Sequence, residues 1–228
     1  MMIDMLSFDL DGTLVDTAGE ITLAVNRTLA DFDRAPRPQA EIEKLIGNGS
    51  HALMRRLLRQ LDADGELDIA RVLAQFDRHY ADTAGTLGQP YADCRETLQS
   101  LRDAGVKLAC VTNKDWRHAC RVLETNGLAE NFELVIGGDT LPRKKPDASV
   151  LRHVLSAFGS SPAHAAHVGD SETDLAAARN AGVAAWAVPW GYNAGRPIAA
   201  AVPERIFQSL PEIAQLVRAL HAASVFSH

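Results

Sequence analysis

Cysteine is scarce in this chain: Cys94, Cys110 and Cys120 are the only three among 228 residues, without a CxxC pair or zinc-type spacing. That excludes a disulfide framework and a thiolate metal centre and predicts reduced thiols. Nowhere do the ~18 apolar residues of a membrane span run together. A basic stretch ahead of an apolar core is also missing at the start, where Asp4 interrupts the first apolar run. These absences predict a cytoplasmic protein with no membrane partner. Basic charge is not in excess: 23 Lys and Arg stand against 29 Asp and Glu, a formal net charge of -6, which gives no electrostatic footprint for a nucleic acid. Internal repeats and low-complexity tracts are lacking as well, which excludes solenoid architectures.

What is present is a 46% apolar composition, enough for one full core and a small second module. Met1 to Phe8 reads as a buried strand. Helical spacing follows over Asp16–Asp33, Glu41–Ile46, Ser50–Leu61 and Leu67–Ala81, punctuated by Gly47-Asn48-Gly49 and Asp62-Ala63-Asp64-Gly65. From Tyr91 onward helix and strand alternate. Helices are expected over Asp93–Ala104, Trp116–Asn126, Ala148–Phe158, Thr173–Ala181 and Pro211–Ala222. Strands are expected over Val106–Thr112, Phe132–Ile136, Ala165–Val168 and Val183–Val188, with a short one near Ile206-Phe207. Alternation of this kind calls for a mainly parallel α/β sheet of the Rossmann-like kind with right-handed crossovers. The early helices break that rhythm, so they are expected to form an inserted α-helical cap at 16–85, on a core built from 1–15 and 86–228.

Chemistry-bearing residues gather at the predicted strand ends, where open α/β sheets place their ligands. Phe8-Asp9-Leu10-Asp11-Gly12-Thr13 sets two acids one residue apart as the first strand breaks into a glycine turn. Such a pair repels unless a cation lies between the acids or one keeps its proton; the same letters also suit a plain turn. Thr112-Asn113-Lys114 ends a later strand with a hydroxyl and freed N–H groups able to hold phosphate oxygens, or simply with a helix cap. Lys145 precedes Pro146, which can begin a helix; its ammonium can meet an anion as a point charge or lie solvated. Gly169-Asp170-Ser171-Glu172-Thr173-Asp174 brings two carboxylates to one helix entry, a pattern suited to Mg²⁺ and equally to a capping box. Jointly these residues match phosphoryl transfer through a covalent aspartyl-phosphate.

With these motifs, and with a helical cap after the first of them, the chain resembles the haloacid dehalogenase superfamily over nearly its whole length. The resemblance implies that Asp9 is the nucleophile and Asp11 the general acid and base. It further implies that Thr112, Asn113 and Lys145 bind the phosphoryl group, and that Asp9, Asp11 (through its carbonyl) and Asp170 surround Mg²⁺, with Asp174 supporting the metal or the lysine. Within the superfamily the chain is similar to the phosphoglycolate phosphatases in Leu45-Ile46-Gly47-Asn48-Gly49 and Trp190-Gly191-Tyr192-Asn193-Ala194-Gly195. Gly47, Asn48 and Gly49 free backbone N–H groups for a small anion or simply connect two helices; one or two of Lys44, His51, Arg55 and Arg56 can pair with a carboxylate, and helix spacing equally allows Arg55 and Arg56 to be solvated. Asp115-Trp116 stands where the pattern has a proline, and Ala148 follows Asp147 where proline is frequent.

The implied activity is hydrolysis of a small phosphomonoester such as 2-phosphoglycolate, by a monomer or homodimer. Other readings use the same residues: a sugar-phosphate phosphatase (on N-acetylmuramic acid 6-phosphate, for example) or a β-phosphoglucomutase-like isomerase. A C–P lyase would need Lys44 as its Schiff-base lysine, and a metal-dependent binding protein would show no turnover.

Overall fold

The computed structural model describes residues 2–61 and 67–225; the predicted turn Asp62-Ala63-Asp64-Gly65 lies outside them. Six parallel strands make the main sheet, in the order β5-β4-β1-β6-β7-β8: β1 (Met5–Phe8), β4 (Lys107–Val111), β5 (Leu134–Ile136), β6 (Ala165–Gly169), β7 (Ala184–Ala187) and β8 (Arg205–Ile206). Helices α5 (Cys94–Asp103), α6 (Trp116–Thr125), α7 (Ala148–Phe158), α8 (Glu172–Ala181) and α9 (Leu210–Val225) connect or follow them.

Side-chain alternation along each strand builds the two faces. Leu6, Phe8, Leu108, Cys110, Ala166 and Val168 point into a core shared with α5, α6 and α9. Met5, Ala109, Val111 and Ala165 point to the opposite core, with Val150, Leu151 and Val154 of α7 and Leu175 and Ala178 of α8. Both faces of β1, β4 and β6 are therefore buried, which explains why these strands read as continuous apolar runs. The three cysteines are free thiols. Among the described residues no helix is long and apolar enough to cross a membrane.

Between β1 and α5 the chain makes a helical, cap-like insertion. It leaves through β2 (Val15–Asp16) and returns through β3 (Gln89–Pro90), which pair antiparallel, Val15 opposite Pro90 and Asp16 opposite Gln89. Between them, α1 (Ala18–Asp31), α2 (Gln39–Glu43), α3 (Ser50–Leu61) and α4 (Ile69–Thr83) enclose a core of their own around Val25, Leu29, Met54, Leu57, Phe76 and Tyr80. Two-residue strands fall below any periodic signal, so this ribbon was invisible in the sequence pattern.

Candidate active site

Asp9, Thr112 and Asp170 are each the first residue beyond the carboxyl end of β1, β4 and β6. Since those three strands are adjacent, β4-β1-β6, the sheet itself brings the three side chains to one edge. Lys145 arrives from the loop after β5. The sequence allowed Pro146 to open the next helix; instead α7 begins at Ala148, and Asp147 caps it by accepting a hydrogen bond from the Ser149 N–H at 2.9 Å. Lys145 therefore stands in the loop ahead of the helix, free to turn its side chain inward.

The result is a buried charge cluster. Lys145 Nζ donates to Asp174 Oδ1 at 2.6 Å and lies 3.0 Å from Asp9 Oδ1. Asp9, Asp170 and Asp174 each offer a carboxylate oxygen within 4.8 Å of the others, all three buried. Asp170 is oriented by two donors, Thr13 Oγ1 at 2.9 Å and the Tyr192 N–H at 2.7 Å. Gly12 makes the close approach possible: it sits at φ +83°, and a Cβ there would meet Asp170 Oδ2 at 2.6 Å. Asp174 is saturated by Lys145, the Ser171 N–H and hydroxyl, and His167 Nε2 at 3.4 Å. Its pairing with Ser171 completes the capping box of α8.

Three buried acids face one lysine, and the protonation equilibria reflect it. Burial pushes the Asp9 carboxyl up; Lys145 opposes this, and Asp174 and Asp11 add to it. Asp170 is raised by burial, then by Asp174 and Asp9. Burial also works against Asp174, but the Lys145 ammonium and His167 outweigh it and hold this carboxyl below its usual range. Asp9 Oδ1 is buried and accepts no hydrogen bond despite the nearby ammonium. A hard divalent cation fits this donor set: carboxylate oxygens close together, excess negative charge and an oxygen without a hydrogen.

Asp11 lies on the cap side of the cluster. Its Oδ1 accepts from Thr17 Oγ1 at 2.7 Å and from Lys114 Nζ at 2.8 Å. Thr112, Asn113, Gly47 and Gly49 line the same cavity as Asp9 and Asp11. The Asn113 amide bridges cap and core, donating to the carbonyls of Gly47 and Lys145 at 3.0 Å each. The Asn48 carbonyl accepts from Lys144 Nζ at 2.8 Å, and its side-chain oxygen faces Thr173 Oγ1 at 3.5 Å, so this residue contacts core loops. Of the cap cations, His51 pairs with Asp77 at 2.7 Å, and neither Lys44, His51, Arg55 nor Arg56 lines the cavity.

Three participants escaped the sequence reading. Lys114, fully buried beside Asp11, was legible only as part of a strand-end motif. Glu20 lies on the buried stripe of α1 and accepts from the Gly85 and Gly88 N–H groups at 2.8 and 3.2 Å, fastening the returning chain; an acid three and four residues from Thr17 and Ala24 on an inward face was the available signal. The Tyr192 hydroxyl donates to Asp16 Oδ1 at 2.7 Å and accepts from the Thr17 and Ala18 N–H groups, closing the start of α1.

At the cap–core contact, His118 of α6 packs against Tyr80 of α4, ring centroids 4.6 Å apart. Burial, then Arg117 and Lys114, lower the imidazole to about 4. A folded-state value below the unfolded value means that the unfolded chain binds the extra proton, so this residue's contribution declines as pH falls from about 6.5 toward 4. Accordingly, His118→Gln should show a shallower loss of Tm over that interval than the parent in a thermal-melt series. Parallel curves would remove His118 from the acid response.

The match to known proteins follows the same geometry. Residues 6–188 match the model of the haloacid dehalogenase-like hydrolases. The chain is 40% identical over 212 residues to phosphoglycolate phosphatase 1 of Pseudomonas aeruginosa, spanning 92% of this chain and 78% of that protein. It is 38% identical over 212 residues to the phosphoglycolate phosphatase of Thiobacillus denitrificans, spanning 92% and 93%. The crystal structure of a predicted phosphoglycolate phosphatase from Haemophilus somnus superposes with a TM-score of 0.90 at 30% identity, over 95% of this chain and 98% of that one.

Proposed function

The chain belongs to the haloacid dehalogenase-like hydrolase family, and on that premise we propose that this phosphatase hydrolyses 2-phosphoglycolate to glycolate and phosphate, with Mg²⁺ as cofactor. The observation that carries the chemistry is the convergence of Asp9, Lys145, Asp170 and Asp174 at one sheet edge. The substrate is supported by relatives named as phosphoglycolate phosphatases that align with more than nine tenths of the chain.

In the proposed reaction an Asp9 oxygen attacks phosphorus in line and the bond to the ester oxygen breaks, with Asp11 delivering a proton to the departing alkoxide. Water then attacks the aspartyl-phosphate, Asp11 takes its proton, and the bond from phosphorus to Asp9 breaks, restoring both carboxyl groups. Lys145 and Thr112 hold the phosphoryl oxygens. Asp9, Asp170 and the Asp11 carbonyl would hold Mg²⁺, which supplies the positive charge that lets a carboxylate approach a phosphate dianion. Asp174 keeps Lys145 charged and aimed. The insertion, taken as residues 16–85, covers the site and excludes water.

A steady-state comparison in Mg²⁺ of 2-phosphoglycolate with sugar phosphates, including N-acetylmuramic acid 6-phosphate, nucleotides and other phosphoacids tests the substrate. We expect the highest kcat/KM for 2-phosphoglycolate by at least about tenfold, which is about 1.4 kcal/mol of transition-state discrimination. An equal preference for another ester overturns it. The acid role of Asp11 has its own signature. Asp11→Ala should lower kcat by about 10²- to 10⁴-fold on alkyl phosphates, and by much less on p-nitrophenyl phosphate, whose leaving group departs without a proton. Equal losses on both would take the proton-donor role away from Asp11.

A further inference from the structure

We propose that Lys114 is a specificity-determining residue that binds the carboxylate of the substrate, an assignment that rests on the phosphoglycolate reading above and deepens it. Lys114 lies two residues beyond Thr112 at the end of β4, and its side chain is 1% exposed. Its ammonium donates to Asp11 Oδ1 at 2.8 Å. Glu20 Oε1 stands 3.7 Å away as an ion-pair partner, and Tyr80 packs beside the ammonium, its ring centroid 5.0 Å away and its hydroxyl within reach of Nζ. A buried ammonium carries three donors; Asp11 and the Tyr80 hydroxyl engage two of them, so one remains beside the cavity that Lys114 itself lines.

The position of that capacity fits a small phosphoacid. The group that protonates the ester oxygen must lie within hydrogen-bond distance of it, and Lys114 adjoins that group. In 2-phosphoglycolate one methylene separates the ester oxygen from the carboxylate, so an ammonium next to Asp11 stands where the carboxylate falls. Across the cavity, Gly49 and Ser50 open α3, whose first N–H groups favour an anion. The remaining cap-side lining is Gly47, the apolar Ile21, Ile46 and Leu53, and Tyr80, so Lys114 is the one ammonium or guanidinium among the lining residues. Lys44, His51, Arg55 and Arg56 do not line this cavity.

The test compares two esters that differ in the carboxylate alone, 2-phosphoglycolate and 2-hydroxyethyl phosphate, in Mg²⁺ with the parent, Lys114→Gln and Lys114→Arg. Gln keeps a donor to Asp11 and removes the charge; Arg keeps the charge. For Lys114→Gln the ratio of kcat/KM values, carboxylate ester over neutral ester, should fall by about 10- to 100-fold, the range of a charge-assisted hydrogen bond. Most of that fall should appear in KM. Lys114→Arg should retain the ratio within a few fold, and far-UV circular dichroism should match the parent for both. Equal losses on the two esters would mean that Lys114 acts only through Asp11 and would overturn the assignment. A parent enzyme without preference for the carboxylate ester would overturn the substrate reading and this inference together. Inhibition by glycolate gives a second readout: its Ki should rise at least tenfold in Lys114→Gln, and an unchanged Ki would contradict the assignment even if that variant turned over poorly.

Discussion

Asp9→Asn should abolish phosphate release, by at least about 10⁴-fold in kcat, while the protein stays folded. An amide of the same shape fits the space beyond β1 but offers no anionic oxygen to phosphorus, so the loss belongs to the chemical step. The stability consequence runs the other way. Burial and the neighbouring acids raise the Asp9 carboxyl in the metal-free protein, so the folded state holds this proton more tightly than the unfolded chain. Its stabilising contribution is therefore complete below the unfolded value of 3.8 and declines as pH rises through the folded value. At neutral pH the neutral amide relieves that cost. Metal-free Asp9→Asn should melt at or above the parent, and by a margin that widens from pH 4 to pH 7, whereas Mg²⁺ should raise its Tm less. Turnover within tenfold of the parent would remove Asp9 from the nucleophile's role; a melt well below the parent would show that the carboxylate is a structural support instead.

The legibility of this molecule tracks how local each feature is. Helices α3 and α7 coincide with their apolar periodicity, Ser50–Leu61 and Ala148–Phe158, because a buried stripe and a terminal breaker lie in the same stretch of chain. The first strand starts later than its apolar run, at Met5, although the Asp4 backbone already bonds to both neighbours: its N–H donates to the His164 carbonyl just ahead of β6, and its carbonyl accepts from the Lys107 N–H at the start of β4. Asp9, Thr112 and Asp170 were readable because each sits at a strand end, and parallel strands share one carboxyl edge. What stayed hidden is pairing across long sequence distances. Nothing in the letters around Lys114 says that it will meet Asp11, 103 positions away, or that Glu20 will hold Gly85 and Gly88. The cap cations illustrate the converse: Arg55, Arg56 and His51 were close to the glycine loop in sequence, yet helical geometry turns them off the cavity, and a lysine from the core takes the place beside it.

Lys145→Met should be the most damaging single change to both stability and activity. Lys145 is 2% exposed and is the only cation contacting Asp9 and Asp174 among the described residues. Removing one partner of a buried ion pair leaves the other charge uncompensated, which costs about 3–5 kcal/mol. The pH dependence identifies the cause. Asp174, although burial acts against it, is held below its usual range by Lys145 and His167, so its stabilising contribution is present above the unfolded value of 3.8 and is lost as pH falls through the folded value. Lys145 itself is raised by Asp174 and Asp9 against the opposing effect of burial, so its share is complete at neutral pH and disappears only at strongly alkaline pH. Without the ammonium, the clustered carboxyl groups take up protons as the solution is acidified. The gap between Lys145→Met and the parent in urea denaturation should therefore be greatest near pH 7 and shrink toward pH 5, and Mg²⁺ should recover part of it by neutralising the remaining acids. Loss of the fixed charge on the phosphoryl group should also lower kcat/KM by about 10³-fold. A stability gap that is the same at pH 5 and pH 7 would mean that Lys145 acts through packing of its methylene chain, since methionine's similar volume would then be the wrong shape and not the wrong charge.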